Sequence, residues 1–570
     1  MKNWKFLLLL FLCLVATKSL LAALVPAPSM FSDEYEYAKI AQNFWEHQTF
    51  KIHGKPINVP PGYPTMISPA YWFDDMRDVY LAIKIINALL SSLIIFPAYL
   101  LAKDLMSRRL ALTSTTLVSI LPASFSNTPY IMAENLFLVL MLTTAYFMYK
   151  SITTKGKTRL ASLIGFSAFT LFAYLTKVLG IVILFAAGLA YIFVTTDILA
   201  KIIKRNTDSS FLFKNILLIG FLSALTFSIV MIIALKFFPL YQYINYFFPK
   251  EQNTVTQILI SSIFWMSIYS GYLIIASGFV PILRIFSIKS ANHKKRMYML
   301  VLGALAIAGI AVAMKHNINV SFLNTTIFSL LSGRPMGRYL DYLLPLIIIG
   351  GFAVVNTKIN KKAAYLLSAL AIISAIFLST YDLIPINNGS LSILGTAKLT
   401  FEKLIGPAEL LSTGYFLVSI ITAMIAITII TISLKCKKAT SIAVMLAILF
   451  ITTNTINYSI AIYNAKTYWY NGEQMQLGLW INDNKEFRGK TILIDEKYEG
   501  KLLKRNQRAL HEAGSATILG FWIKNHMKIG STQDLKDIDY VITKDKLDLP
   551  LIKRTTNEIY LYKAPDGSEK

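Results

Sequence analysis

Val79-Tyr80-Leu81-Ala82-Ile83-Lys84-Ile85-Ile86-Asn87-Ala88-Leu89-Leu90-Ser91-Ser92-Leu93-Ile94-Ile95-Phe96-Pro97-Ala98-Tyr99-Leu100-Leu101 runs for 23 residues with one charge, Lys84. At about 1.5 Å of rise per residue such a helix crosses the ~30 Å hydrocarbon layer of a bilayer. Similar runs lie near 6–25, 110–126, 130–149, 160–176, 178–196, 215–237, 258–283, 297–314, 339–356, 363–381, 411–434 and 440–463. Together they predict a polytopic α-helical membrane protein of about thirteen transmembrane helices. The composition agrees: of 570 residues, 55% are hydrophobic and 15% charged, where soluble proteins carry about 25% charge.

The net charge of +25 does not indicate a nucleic-acid partner, because the basic residues collect in alternate short loops between the apolar runs. One set of loops, from Lys2 and Lys5 through Lys435, Lys437 and Lys438, holds 24 Lys and Arg against Asp104, Asp197 and Asp208. By the positive-inside rule that side is cytoplasmic. The N-terminus is then inside and residues 464–570 lie outside. A retained first span fits better than a cleaved leader, since the apolar run continues past Lys18 to Val25. Cys13 and Cys436 sit in separate apolar contexts and offer no disulfide framework.

Chemistry is expected in the outer loops and at charges inside the spans, where a charge is expensive and a functional candidate by default. The first outer loop, 26–78, begins with Asp33-Glu34 ahead of an amphipathic stretch to His47. It continues through the stiff segment Pro60-Pro61-Gly62-Tyr63-Pro64. A carboxylate at the membrane surface can act as a base; the competing account is a solvated helix start favoured by the helix dipole. Lys84, Glu134, Lys177, Lys236 and Asp341 fall in the outer halves of their spans, and Arg334 and Arg338 precede the tenth. Snorkelling accounts for Lys236 and partly for Lys84. Glu134, about one turn inside, calls for a partner or a cavity. Arg334 and Arg338 suit phosphate through their planar forks; an Arg338–Asp341 pair is the structural alternative. Tyr63, Tyr71 and Trp72 are expected in an interfacial aromatic belt, with sugar stacking as the alternative.

Asp33-Glu34, Pro60-Pro61-Gly62-Tyr63-Pro64, Ala133-Glu134-Asn135-Leu136-Phe137 and Gly337-Arg338-Tyr339 through Pro345, in this order along the spans, resemble the GT-C superfamily of integral-membrane glycosyltransferases. The pattern is nearest its protein O-mannosyltransferase and aminoarabinose-transferase branch. The resemblance implies inverting transfer of a sugar from a polyprenyl-phosphate donor to an acceptor hydroxyl on a protein, lipid or glycan. It implies Asp33 as catalytic base, with Glu34 and Glu134 as cavity carboxylates and Tyr37, Tyr63 and Tyr339 lining the substrate cavity. Glu36 and Val59 depart from the branch, which often has Arg and Lys there. The phosphate ligands are therefore expected at Arg334, Arg338, Lys84 and Lys177. The Asp-any-Asp signature of metal-dependent relatives does not occur in the first outer loop, so neither metal nor other cofactor is expected. Asp74-Asp75 remain an alternative cation site.

Residues 464–570 carry 18 basic and 15 acidic residues and no further span, which predicts a small extracytoplasmic α/β domain beyond a membrane domain of 1–463. Thr491–Ile494, Asp539–Thr543 and Ile559–Tyr562 read as strands, and Glu473–Asn482 and Lys497–Arg505 as helices. The rival class is a polytopic transporter or lipid-linked-sugar flippase, which would show two halves with matching broken helices. No such repeat occurs in the sequence.

Overall fold

A computed structural model of the chain describes residues 2–29, 32–52, 55–56, 59–205, 255–288, 292–321, 337–380, 391–397, 400, 414–495, 515–533, 535–556 and 558–565. Helices dominate. In chain order they are α1 (Lys2–Ala23), α2 (Ser32–His47), α3 (Gly62–Ile67), α4 (Met76–Ser92), α5 (Ile95–Leu105), α6 (Arg108–Ser119), α7 (Pro122–Phe125), α8 (Glu134–Thr153), α9 (Gly156–Thr176) and α10 (Val182–Arg205). There follow α11 (Val255–Ala276), α12 (Val280–Phe286), α13 (His293–Ser321), α14 (Leu343–Ala353), α15 (Lys361–Thr380), α16 (Gly414–Lys435), α17 (Ala439–Asn464), α18 (Glu473–Asp483) and α19 (Ser515–Phe521). Among the described residues, seven helices are long and apolar enough to cross a membrane, and three shorter apolar helices accompany them.

Several expected spans fall on single helices and others need correction: 79–101 divides into α4 and α5, and 258–283 into α11 and α12. The stretch 110–126 is not one helix, because Leu121 is extended and Pro122 opens the short α7. The stretch 339–356 is a short 3₁₀ turn followed by the 11-residue α14. The run 215–237 lies outside the described residues, and thirteen spans are not reached among those described.

The described residues form two compact units. The first comprises 1–12, 90–127 and 134–457. In it α8 packs on α9, α10 on α13, and α15 on both α11 and α16. Every residue of α14 is buried, as befits a helix apolar on all sides. Between α11 and α12 the chain breaks at Gly278 and Phe279, both with positive φ, and Pro281 restarts the helix. Gly271 brings α11 against α15: a Cβ there would lie 2.2 Å from the Leu370 carbonyl oxygen.

The second unit comprises 13–89, 128–133 and 458–570. Its sheet has the strands β3 (Thr491–Asp495), β4 (His526–Gly530), β5 (Tyr540–Thr543), β6 (Leu551–Arg554) and β7 (Tyr560–Lys563) in the order β4-β3-β5-β7-β6; β1 (Lys51–Ile52) and β2 (Lys55–Pro56) form a separate small ribbon. β3 runs parallel to β4 and β5, and β7 is antiparallel to β5 and β6. Ile492 and Ile494 join Leu519, Ile523, Ile542 and Leu561 on one face, while Leu493 joins Ile538 and Val541 on the other. The unbroken apolar run of β3 is thus the signature of a strand covered on both faces. The helix over Glu473 and the three expected strands are present; Lys497–Arg505 lies outside the described residues. β4, β6 and α19 were not anticipated.

Candidate functional site

In the first unit Glu134 begins α8, where a carboxylate meets the positive end of the helix dipole. Lys177 stands at a break: α9 ends at Thr176, Lys177 is extended, and a 3₁₀ turn over Val178–Ile181 leads into α10. The turn is tight because Gly180 lies against the backbone of Ala173 and Tyr174, where a Cβ would come within 2.7 Å. Arg338 sits in the 3₁₀ turn Gly337–Tyr339 that precedes α14, with Gly337 against the Tyr272 ring.

These elements bring three charges together. Lys177 Nζ donates to Oε1 of Glu134, and Nη1 of Arg338 lies 3.6 Å from the same oxygen. The side chains are only 4% (Glu134), 13% (Lys177) and 12% (Arg338) exposed. The Lys177 ammonium also lies 5.8 Å from the Phe137 ring centre and 5.7 Å from that of Tyr339, within cation–π range. Asp341 accepts a hydrogen bond from the Tyr272 hydroxyl at 2.6 Å. A lysine and an arginine beside one carboxylate in an aromatic-walled setting have a chemistry suited to phosphate oxygens.

In the second unit Asp33 occupies the first turn of α2, half-buried, and Glu36 follows it on the same face. Burial, and then the neighbouring Asp33 charge, push the Glu36 carboxyl above its ordinary range. Glu34 is fully buried and accepts the backbone N–H of Ile131 at 2.9 Å, so it anchors the 128–133 segment. Tyr37 meets Tyr63 edge to face at 5.2 Å. The Tyr63 hydroxyl donates to Asn87 at 2.9 Å, and Asn87 donates to the Tyr130 carbonyl at 2.9 Å. Lys84 donates to the Val25 carbonyl just past α1 at 2.8 Å and lies 4.2 Å from the Tyr80 ring centre.

The anticipated residues therefore gather as two sets. Glu134, Lys177, Arg338 and Tyr339 meet in the first unit; Asp33, Glu34, Tyr37, Tyr63 and Lys84 belong to the second. Arg334 lies outside the described residues, as does Lys236. The aromatic belt needs correction: Tyr63 and Tyr71 are buried with their hydroxyls engaged, Tyr71 donating to the Ala38 carbonyl at 2.8 Å, whereas Trp72 is 76% exposed. Sequence reasoning overlooked Tyr272 and the buried Lys39, since a Tyr or Lys in a helical stretch carries no signal of its partner.

Residues 7–252 match the profile of the family described as dolichyl-phosphate-mannose-protein mannosyltransferase. No curated protein matches the chain in sequence. In structure the chain is similar to the crystal structure of ArnT from Cupriavidus metallidurans in the apo state, at 12% identity and a TM-score of 0.52, covering 99% of each chain. It is equally similar to ArnT from the same organism bound to undecaprenyl phosphate, at 12% identity and a TM-score of 0.53, covering 98% of this chain and 99% of that one. The profile match covers the N-terminal part of the chain, residues 7–252, and over the whole chain the fold is that of the ArnT structures.

Proposed function

We propose that the protein transfers one sugar from a polyprenyl-phosphate donor to an acceptor hydroxyl of a protein, lipid or glycan at the outer face of the membrane, with inversion at the anomeric carbon. The observation that carries this reading is the near-buried Lys177–Glu134–Arg338 cluster. The ArnT structure bound to undecaprenyl phosphate shares the fold and supports a lipid phosphate as the ligand. Lys177 and Arg338 take the charge that grows on the leaving phosphate, and Arg334 is assigned with them from the sequence. Glu134 holds the two cations in place when the phosphate is absent.

Asp33 is the general base. The acceptor oxygen attacks the anomeric carbon as the carbon–phosphate oxygen bond breaks, the polyprenyl phosphate departs with the electron pair, and the acceptor proton passes to the Asp33 carboxylate. A phosphate leaves without a protein acid, so fixed cations are the electrostatic requirement on that side. With two such cations in place the reading needs no metal ion. Glu34, tied to the Ile131 amide, keeps the backbone beside α2 in position.

The test is a mass-spectrometric comparison of surface glycans and glycolipids from a deletion strain complemented with wild type, Asp33→Asn or Arg338→Gln at equal membrane levels. Loss of one sugar in the deletion and in both variants is the expected result. An unchanged profile in the deletion would instead favour a transporter.

A further inference from the structure

Within the second unit, α2 is fastened to the C-terminal sheet domain by side chains that the transfer reading leaves unused. Lys39 is 6% exposed, and its amine Nζ donates to the Ile523 carbonyl at 2.7 Å and to Oε1 of Gln42 at 2.8 Å. Gln42 donates in turn to the Lys524 carbonyl, and to Glu46 at 3.2 Å. Lys524 returns the grip: its side chain reaches the Phe73 carbonyl at 3.0 Å and Asp74 at 3.2 Å. Gly520 admits the Tyr35 ring of α2, for a Cβ there would stand 2.9 Å from the Tyr35 hydroxyl.

An apolar residue at position 39 would fill this space without the cost of taking an amine out of water. A directed donor adds what packing cannot, a fixed rotation of the helix about its axis. Asp33 lies six residues earlier on the same helix, about 9 Å along the axis. A carboxylate roughly 6 Å from the axis moves by about 1 Å for each 10° of rotation, and a misplacement of that size can cost about 10²-fold in rate.

We propose that Lys39 is a positioning residue: its bond to the Ile523 carbonyl sets the rotation of α2 and thereby the place of the Asp33 carboxylate, so that the C-terminal domain governs transfer through this helix. The inference rests on the assignment of Asp33 as base.

The deletion strain is complemented at graded expression with wild type, Lys39→Met, Lys39→Arg, Lys524→Met and Asp33→Asn, and occupancy of the missing glycan is measured against membrane protein level. Lys39→Met is expected to need about tenfold more protein for half occupancy, with faster amide exchange confined to α2 in the purified protein. Lys39→Arg restores a donor and should recover most of the loss, which a role in packing alone would not produce. Full activity of Lys39→Met, or equal loss in Lys39→Arg, overturns the proposal while Asp33→Asn stays inactive. Should Lys39→Met fail to accumulate, Lys524→Met decides: reduced occupancy per molecule supports the clasp, and wild-type occupancy overturns it. An active Asp33→Asn, or a deletion with unchanged glycans, overturns the base assignment and this inference with it.

Discussion

Glu134→Gln isolates the electrostatics of the cluster in the first unit. The substitution keeps the volume and a hydrogen-bonding head group, and it removes the negative charge that Glu134 presents to Lys177 and Arg338. All three side chains are at most 13% exposed, so the two cations lose the charge of this carboxylate in a nearly dry setting. Removing one partner of a buried ion pair costs about 3–5 kcal/mol. For a chain of this size that corresponds to a fall in melting temperature of about 2–4 °C. The assay is thermal unfolding of the full chain in detergent, with and without undecaprenyl phosphate, using undecaprenol as the uncharged control. A lipid phosphate bound at Lys177 and Arg338 supplies the anion that the variant lacks, so it should raise the melting temperature of Glu134→Gln by more than that of wild type. Equal stabilisation of both proteins, or equal stabilisation by undecaprenol, would refute the reasoning that carboxylate and phosphate share these cations. An unchanged melting temperature without lipid would refute the energetic account of the cluster.

The remaining predictions are more local. Gly271→Ala places a Cβ 2.2 Å from the Leu370 carbonyl oxygen and 2.4 Å from Ser374 Cβ; α11 and α15 must part, at a cost of about 1–3 kcal/mol that unfolding in detergent should register. Burial lowers the Lys39 amine to about 7, against the opposing influence of Glu46. The folded state therefore prefers the neutral amine; its stability is complete above the unfolded value of about 10.4 and is lost as pH falls toward 7, by about 5 kcal/mol at most. The wild-type melting temperature should rise from pH 7 to 9.5 more than that of Lys39→Met, and equal slopes would refute the assignment. Glu36→Gln should retain transfer where Asp33→Asn loses it, and the reverse pattern in the glycan assay would move the base to Glu36. Transfer in membranes treated with EDTA should match untreated membranes; loss restored by a divalent cation would show a metal requirement.

The legible part of this protein is the part governed by one-dimensional chemistry. Spans announce themselves because a bilayer demands about twenty apolar residues in sequence, and α8, α9 and α17 lie within a few residues of the expected limits. Glu134, Lys177 and Arg338 stood out because ionised groups near the membrane interior need a reason. β3, β5 and β7 were readable from short apolar runs. β4 and β6 were not, since His526-Met527-Lys528-Ile529-Gly530 and Leu551-Ile552-Lys553-Arg554 mix charges with few apolar positions at the sheet's two edges.

Pairing is where one-dimensional reading stops. Arg338 is 204 positions from Glu134 and Lys177 is 43, and no local pattern states that they converge. Lys39 looks like an ordinary polar position of an amphipathic helix, yet its partner is the carbonyl of Ile523, 484 residues away. Tyr63 and Tyr71 have the composition of an interfacial belt, but the partners of their hydroxyls bury them. By itself the sequence determined that the chain is a multi-span membrane protein and which of its charges required an explanation, because hydrophobic length and the cost of a buried ion are properties of residue type and spacing. Tertiary structure alone decided which charge answers which, because a buried ion is satisfied by whatever the fold brings within about 3–4 Å of it.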